Sequence, residues 1–140
     1  MTVARLGPLL IAQALAGCGS VPSTHEAPDV PATAWLAPAL RADSLATATV
    51  VVKRSTVITF SICDVRVYVN GNGTVDIAPG QRALLTIRPG RHMMGADTPA
   101  PLCPVRLREV ALDLAPGQTA TFAIDASPLS GEFVFQQSSR

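Results

Sequence analysis

The 140-residue chain is poor in aromatic residues: one Trp, one Tyr and four Phe make up 4% of it. So small a supply of rings leaves little to stack on bases or sugars. Charge is scarce too. Charged residues account for 15%, the formal net charge is +1 and Lys53 is the lone lysine, so no strong field of either sign points to nucleic acid as a partner. No apolar run approaches the roughly 20 residues a helix needs to cross about 30 Å of hydrocarbon. Uninterrupted helical pattern is also missing, because twelve Pro and ten Gly punctuate the chain. The length suits one domain and leaves no room for a separate cofactor fold, so no cofactor is expected.

What is present begins with an address. Arg5 and the terminal amine form a small positive region, followed by the apolar run Leu9 to Ala16, and small residues with a cysteine close it. That is the layout of a secretory signal. Its closing tetrapeptide, Leu15-Ala16-Gly17-Cys18, resembles the lipobox of bacterial lipoproteins in position, in the length of the apolar region and in all four residues. The resemblance implies that the Cys18 thiol receives a diacylglyceryl group, that cleavage removes residues 1–17, and that the new amine is acylated. The competing reading is an ordinary signal peptide with a chance cysteine. Gly19 stands where inner-membrane retention typically places Asp, so the resemblance implies transfer to the outer membrane, with the domain in the periplasm. Cleavage would remove Arg5 and leave ten basic against ten acidic side chains, so lipid rather than charge would do the anchoring. One acyl chain holds a protein only marginally, whereas two or more hold it stably.

Three cysteines less Cys18 leave Cys63 and Cys103. In an oxidising compartment such a pair most simply forms a disulfide. Two free buried thiols or a metal pair compete with that reading, but neither a CxxC motif nor clustered His accompanies the cysteines. Residues 18–46 read as the lipidated Cys and a tether, with Pro22, Pro28, Pro31 and Pro38 among Ser, Thr and Ala. Trp35 and Leu36 are unexpected in a pure spacer, and either docking on the folded part or contact with lipid headgroups accounts for them. A short helix fits Leu36–Leu45.

From residue 47 to 140 the pattern is that of short strands. Thr49–Lys53 is β-branched, and Val65, Val67 and Val69 alternate with Arg66 and Tyr68. Asn70-Gly71-Asn72-Gly73 signals a turn. Further strands are expected over Thr74–Ile77, Ala83–Ile87, Arg91–Gly95, Arg106–Leu114, Thr119–Ile124 and Glu132–Gln136. The fold class is therefore all-β, a small antiparallel β-sandwich of seven to eight short strands. One internal echo stands out: Asp76-Ile77-Ala78-Pro79-Gly80-Gln81 reads against Asp113-Leu114-Ala115-Pro116-Gly117-Gln118. Pro followed by Gly meets the needs of a type II turn, so each copy reads as strand, tight turn, strand. The stretch Val65 to Ile124, through Val67-Tyr68-Val69-Asn70-Gly71, Ile77-Ala78-Pro79-Gly80, Ile87-Arg88-Pro89-Gly90-Arg91-His92 and Leu114-Ala115-Pro116-Gly117-Gln118, resembles periplasmic sandwich modules of the PEGA type. The literal Pro-Glu-Gly-Ala motif is absent. The resemblance implies an envelope interaction or attachment domain and brings no catalytic residue.

Candidates for chemistry are few. His25 lies in the tether, and Ser61, Asp64 and His92 lack the sequence pattern that positions a nucleophile. His92 and Met94 share a strand face and suit Cu(I), but no third ligand is evident and Met is commonly core filler. Asp76 and Asp113 are expected to cap backbone N–H groups at the repeated turn. Arg82, Arg88 and Arg91 gather around one expected hairpin and offer either a basic spot for phosphate or an acidic partner, or a solvated face. Asn72-Gly73-Thr74 fits a glycosylation sequon but reads as a turn. The reading that results is a non-enzymatic, lipid-anchored envelope protein, without metal, that meets an envelope protein or the cell wall. The alternative is a small-ligand or copper-binding protein using the His92 region.

Overall fold

Apolar side chains at every second position give each segment one face to bury, and two such sheets bury theirs against each other. The computed structural model describes residues 27–41, 45–56, 62–127 and 129–138. Eight strands form: β1 (Ala48–Arg54), β2 (Val65–Val69), β3 (Asn72–Ile77), β4 (Arg82–Ile87), β5 (Gly90–Asp97), β6 (Arg108–Leu114), β7 (Thr119–Ala126) and β8 (Phe133–Gln137). They make two four-stranded sheets, ordered β4-β1-β7-β8 and β3-β2-β5-β6. Neighbours are antiparallel except β1 and β7, which run parallel with Thr49 opposite Thr119. The all-β sandwich read from the sequence is thus present, with one mixed sheet.

The core lies between the sheets. Val50, Val52, Leu85 and Phe122 of the first meet Val65, Val67, Val75, Ile77 and Met94 of the second, all buried. Phe122 stacks on Phe135 with ring centroids 5.0 Å apart. Arg54 is the exceptional buried charge. Its Nη1 donates to the Ile77 carbonyl at 2.7 Å, tying the end of β1 to the end of β3 across the sandwich.

The repeated Pro-Gly sequence builds the same turn twice. Gly80 and Gly117 each have φ of +74°, and the Gln81 and Gln118 amides each donate to the carbonyl three residues back at 3.1 Å. Neither turn is a hairpin, because each carries the chain from one sheet to the other: β3 to β4 and β6 to β7. The two arches clamp β1 at opposite ends. Arg54 donates to the Gln81 carbonyl and Thr49 to the Gln118 carbonyl, while Gly80 and Gly117 donate to Ser55 and Thr47. Asp76 and Asp113 do not cap these turns. The glutamines do, since Gln81 Oε1 accepts from the Ala78 amide at 3.1 Å and Gln118 Oε1 from the Ala115 amide at 2.8 Å. Asp76 instead accepts both arms of Arg66, at 2.8 and 3.0 Å.

Pro89-Gly90 likewise carries the chain between sheets, so the hairpin expected there does not form. Arg82 and Arg88 sit at opposite ends of β4, about 20 Å apart by strand rise, and the expected arginine cluster is dispersed. Arg82 pairs with Asp29 at 2.7 Å, and Arg91 faces Asp113 at 3.9 Å. A true two-residue hairpin joins β2 to β3, where Asn70 (φ 51°) and Gly71 (φ 80°) give the paired positive φ values of a type I′ turn.

Residues 28–41 pack along the β3 and β4 edges. Val30 and Arg82 exchange main-chain bonds through the carbonyls of Arg82 and Pro28 at 2.9 Å. A bulge between Val67 and Tyr68 skips Thr74, whose carbonyl accepts from Leu36 at 2.8 Å and Ala37 at 3.1 Å. Trp35 docks, only 8% exposed, which decides between its two expected fates. One 3-10 turn, Pro38–Arg41, stands where the sequence predicts a helix over Leu36–Leu45, and another, Ala32–Ala34, precedes it; residues 42–44 lie outside the described residues. Cys63 and Cys103 form a disulfide, S–S 2.00 Å, joining the β1–β2 and β5–β6 loops.

Candidate functional site

The outward face of the second sheet collects the chain's unusual surface residues. Register sets Tyr68 directly opposite Gly73 on β3 and Gly95 on β5. Glycine inside a strand leaves bare backbone that a neighbouring side chain can cover. A Cβ at Gly73 would lie 3.3 Å from Leu36 Cδ1 and 3.8 Å from Tyr68 Cε1; one at Gly95 would lie 3.1 Å from Leu107 Cδ1 and 3.4 Å from Tyr68 Cβ. Leu36, Tyr68 and Leu107 therefore form a stripe over β3, β2 and β5, with Met93 beside it on β5. Leu36 and Leu107 keep 49% and 47% of their surface exposed.

Charges border this stripe. Arg66 and Asp76 form a half-buried two-pronged pair, and the hydrogen bond to Asp76 is the main reason the Arg66 guanidinium lies above its ordinary pKa. Burial, then a hydrogen bond with Asp97, pushes the Tyr68 hydroxyl above its usual value of 10.0. Asp97 Oδ1 is buried without a hydrogen-bond partner. The face combines an apolar line with ordered polar neighbours, which suits contact with a surface.

His92 is held in a bracket of its own. The Met93 amide donates to Asn70 Oδ1 at 2.9 Å, so the amide nitrogen of Asn70 turns to His92 and donates to Nδ1 at 3.0 Å. The other ring nitrogen, Nε2, lies 2.7 Å from the Arg88 carbonyl, which can only accept. These partners assign the neutral tautomer with the proton on Nε2. Both nitrogens are thereby engaged in holding the β2–β3 and β4–β5 turns together. Met94 faces the same way but lies wholly in the core. A shallow hollow of about 560 Å³ lies alongside, lined by Asn70, Arg91, His92, Met93, Ala111, Leu112 and Asp113.

No protein-family model, curated protein or solved structure matches the chain. The site is therefore argued from its geometry. Asp64 sits within electrostatic reach of buried Arg54, whose pKa is lowered by burial and partly restored by that carboxylate. Ser61, the third member of the imagined Ser61-Asp64-His92 set, lies outside the described residues, as do Cys18 and His25. Among the described residues no group of three or more His, Cys, Asp or Glu is placed to hold a metal ion. In the sequence Tyr68 reads only as a polar-side strand residue, Gly73 only as part of a turn and Gly95 only as a strand end. Their signal was available: Gly73 and Gly95 each interrupt a strand pattern, and the single Tyr stands on the polar side of β2.

Proposed function

We propose that the chain is a lipid-anchored protein of the bacterial envelope, PEGA-like in its sandwich, that works by contact with an envelope protein or the cell wall. One observation carries the reading: Leu15-Ala16-Gly17-Cys18 closes an apolar run that is too short to span a bilayer. The Cys63–Cys103 bridge supports it, since disulfides persist in oxidising compartments such as the periplasm. Gly19 after the lipidated cysteine favours the outer membrane. The contact role is supported by the Leu36-Tyr68-Leu107 stripe, and by polar groups committed to the fold: His92 to its bracket, Asp76 to Arg66, Asp29 to Arg82 and Glu132 to Arg108.

Photo-crosslinking in intact envelopes tests the contact role. A reactive side chain at Leu107 or Met93 is expected to give one reproducible adduct, protein or peptidoglycan, that Tyr68→Glu abolishes. The same group at Lys53, on the outer face of the other sheet, is expected to give none. Equal labelling from both faces would count against a dedicated surface. The hollow beside His92 supports a second reading, a small-ligand site. Copper there would have to displace the Asn70 or Arg88 bond to the imidazole, so a Cu(I)-dependent shift of the His92 ring resonances would favour it.

A further inference from the structure

The sandwich has two unlike ends. At one, Asn70-Gly71, Arg88-Pro89 and the Ala115–Gln118 arch make short, tight connections. At the other the Ala78–Gln81 arch is accompanied by the long loops: β1–β2, β5–β6 and β7–β8. The register places these together, since Arg54 lies opposite Ile124, Arg66 opposite Asp97, Ala96 opposite Arg108 and Ala126 opposite Phe133. Among the described residues each long loop carries one aliphatic side chain that is more than four-fifths exposed: Ile62 (82% exposed), Leu102 (84%) and Leu129 (98%). These are the three most exposed large apolar residues among the described ones. Each belongs to a braced loop. The Cys63–Cys103 disulfide joins the Ile62 and Leu102 loops next to those residues, and Arg108 holds Glu132 of the Leu129 loop at 2.6 Å.

The N-terminal segment leaves from this same end. Pro28 and Asp29 pair with Arg82, which lies opposite Lys53 near the end of β1, and from there the segment runs towards Leu40 and the short-loop end. Pro28 lies ten Cα–Cα steps from Cys18, a reach of at most about 36 Å. If Cys18 is acylated, as proposed above, the long-loop end is the one tethered nearest the bilayer. Its acidic groups are partly occupied: Asp125 accepts from the Ser55 hydroxyl and the Ala126 amide, Glu132 pairs with Arg108, and Asp64 faces Arg54. We infer that Ile62, Leu102 and Leu129 form a foot that inserts into the headgroup–acyl boundary of the membrane carrying the lipidated Cys18, fixing the sandwich upright with its short-loop end outermost. Apolar side chains flanked by satisfied polar groups suit that boundary. The inference rests on the lipid-anchor reading.

Depth-dependent quenching tests it. The full protein, extracted from envelopes, is reconstituted into phosphatidylethanolamine–phosphatidylglycerol vesicles with brominated acyl chains, as Leu129→Trp and, for the opposite end, Leu45→Trp. Native Trp35, docked on the sandwich, supplies the background. The expected result is loss of at least half the added emission for Leu129→Trp and less than a tenth for Leu45→Trp. Intact mass of the same sample reads the acyl groups on Cys18. Acylated protein with Leu129→Trp unquenched, or with both positions quenched alike, overturns the foot alone. An unmodified Cys18 overturns the anchor and the foot together. A protein adduct captured from position 129 in whole envelopes, with no quenching in vesicles, would reassign this end to a protein partner.

Discussion

Replacing both Cys63 and Cys103 with Ala removes the one covalent tie between the β1–β2 and β5–β6 loops. The bridge spans 40 residues, and the chain-entropy model assigns such a loop about 4 kcal/mol. That figure is an upper bound here, because the β5–β6 loop has bonds of its own. The Thr98 hydroxyl donates to the Cys103 carbonyl, Cys103 donates to Ala100 at 3.1 Å, and Val105 donates to Cys103 at 2.7 Å. Alanine is preferred to serine because both sulfurs lie in buried residues, and an unpaired hydroxyl would add its own cost. The expected loss is about 2–4 kcal/mol, and at about 4 °C per kcal/mol the melting temperature falls by about 8–16 °C. Thermal melts followed by circular dichroism measure it, with and without reductant. Reductant is expected to bring the native protein down to the double variant and leave the variant unmoved. A native melt insensitive to reductant, or a variant as stable as native, would refute the reasoning.

Other perturbations probe the rest of the account. Tyr68 is the only tyrosine, so its alkaline titration reads directly at 295 nm; the midpoint is expected above 10.0 because burial favours the neutral phenol. The folded state then holds the proton more tightly than the unfolded one, so this contribution is full below pH 10.0 and is lost as pH rises through the folded value, which urea melts at two alkaline pH values would show. Asn70→Ala removes the acceptor of the Met93 amide and the donor to His92 while keeping a non-glycine residue at positive φ, and is expected to cost about 2 kcal/mol in urea unfolding. Trp35→Ala should cost about 3 kcal/mol and speed hydrogen exchange at the Leu36 and Ala37 amides, which bond Thr74; unchanged exchange would mean the segment is held without its tryptophan.

Strand identity was legible where burial follows the alternation of the sequence, as in Val65, Val67 and Val69 pointing inward, and less so in β3 and β5, which bury consecutive residues. The turns were legible for the same local reason, Asn70-Gly71 and all three Pro-Gly pairs demanding positive φ. Which strands pair was not. A Pro-Gly turn serves a hairpin and an arch alike, and only the burial of both faces of the core sends Ile77 and Arg82 to different sheets. The parallel pairing of β1 with β7 joins segments some 70 residues apart, beyond any local pattern. The dispersal of Arg82 and Arg88 has a local cause, since an extended Ala83–Ile87 already sets them at its two ends. The recruitment of residues 28–41 to the β3 and β4 edges follows from the topology, and Trp35 alone foreshadowed it. The capping role of Gln81 and Gln118 was hidden because Asp is the commoner partner at turns, while here Asp76 is drawn to Arg66 across the pair of strands.

The lipid anchor bears most of the functional weight, and intact mass spectrometry of the protein extracted from bacterial envelopes tests it most directly. The account predicts a chain that begins at Cys18 and carries a diacylglyceryl group and an N-linked acyl chain. A chain that still begins at Met1 and bears no fatty acid would contradict it.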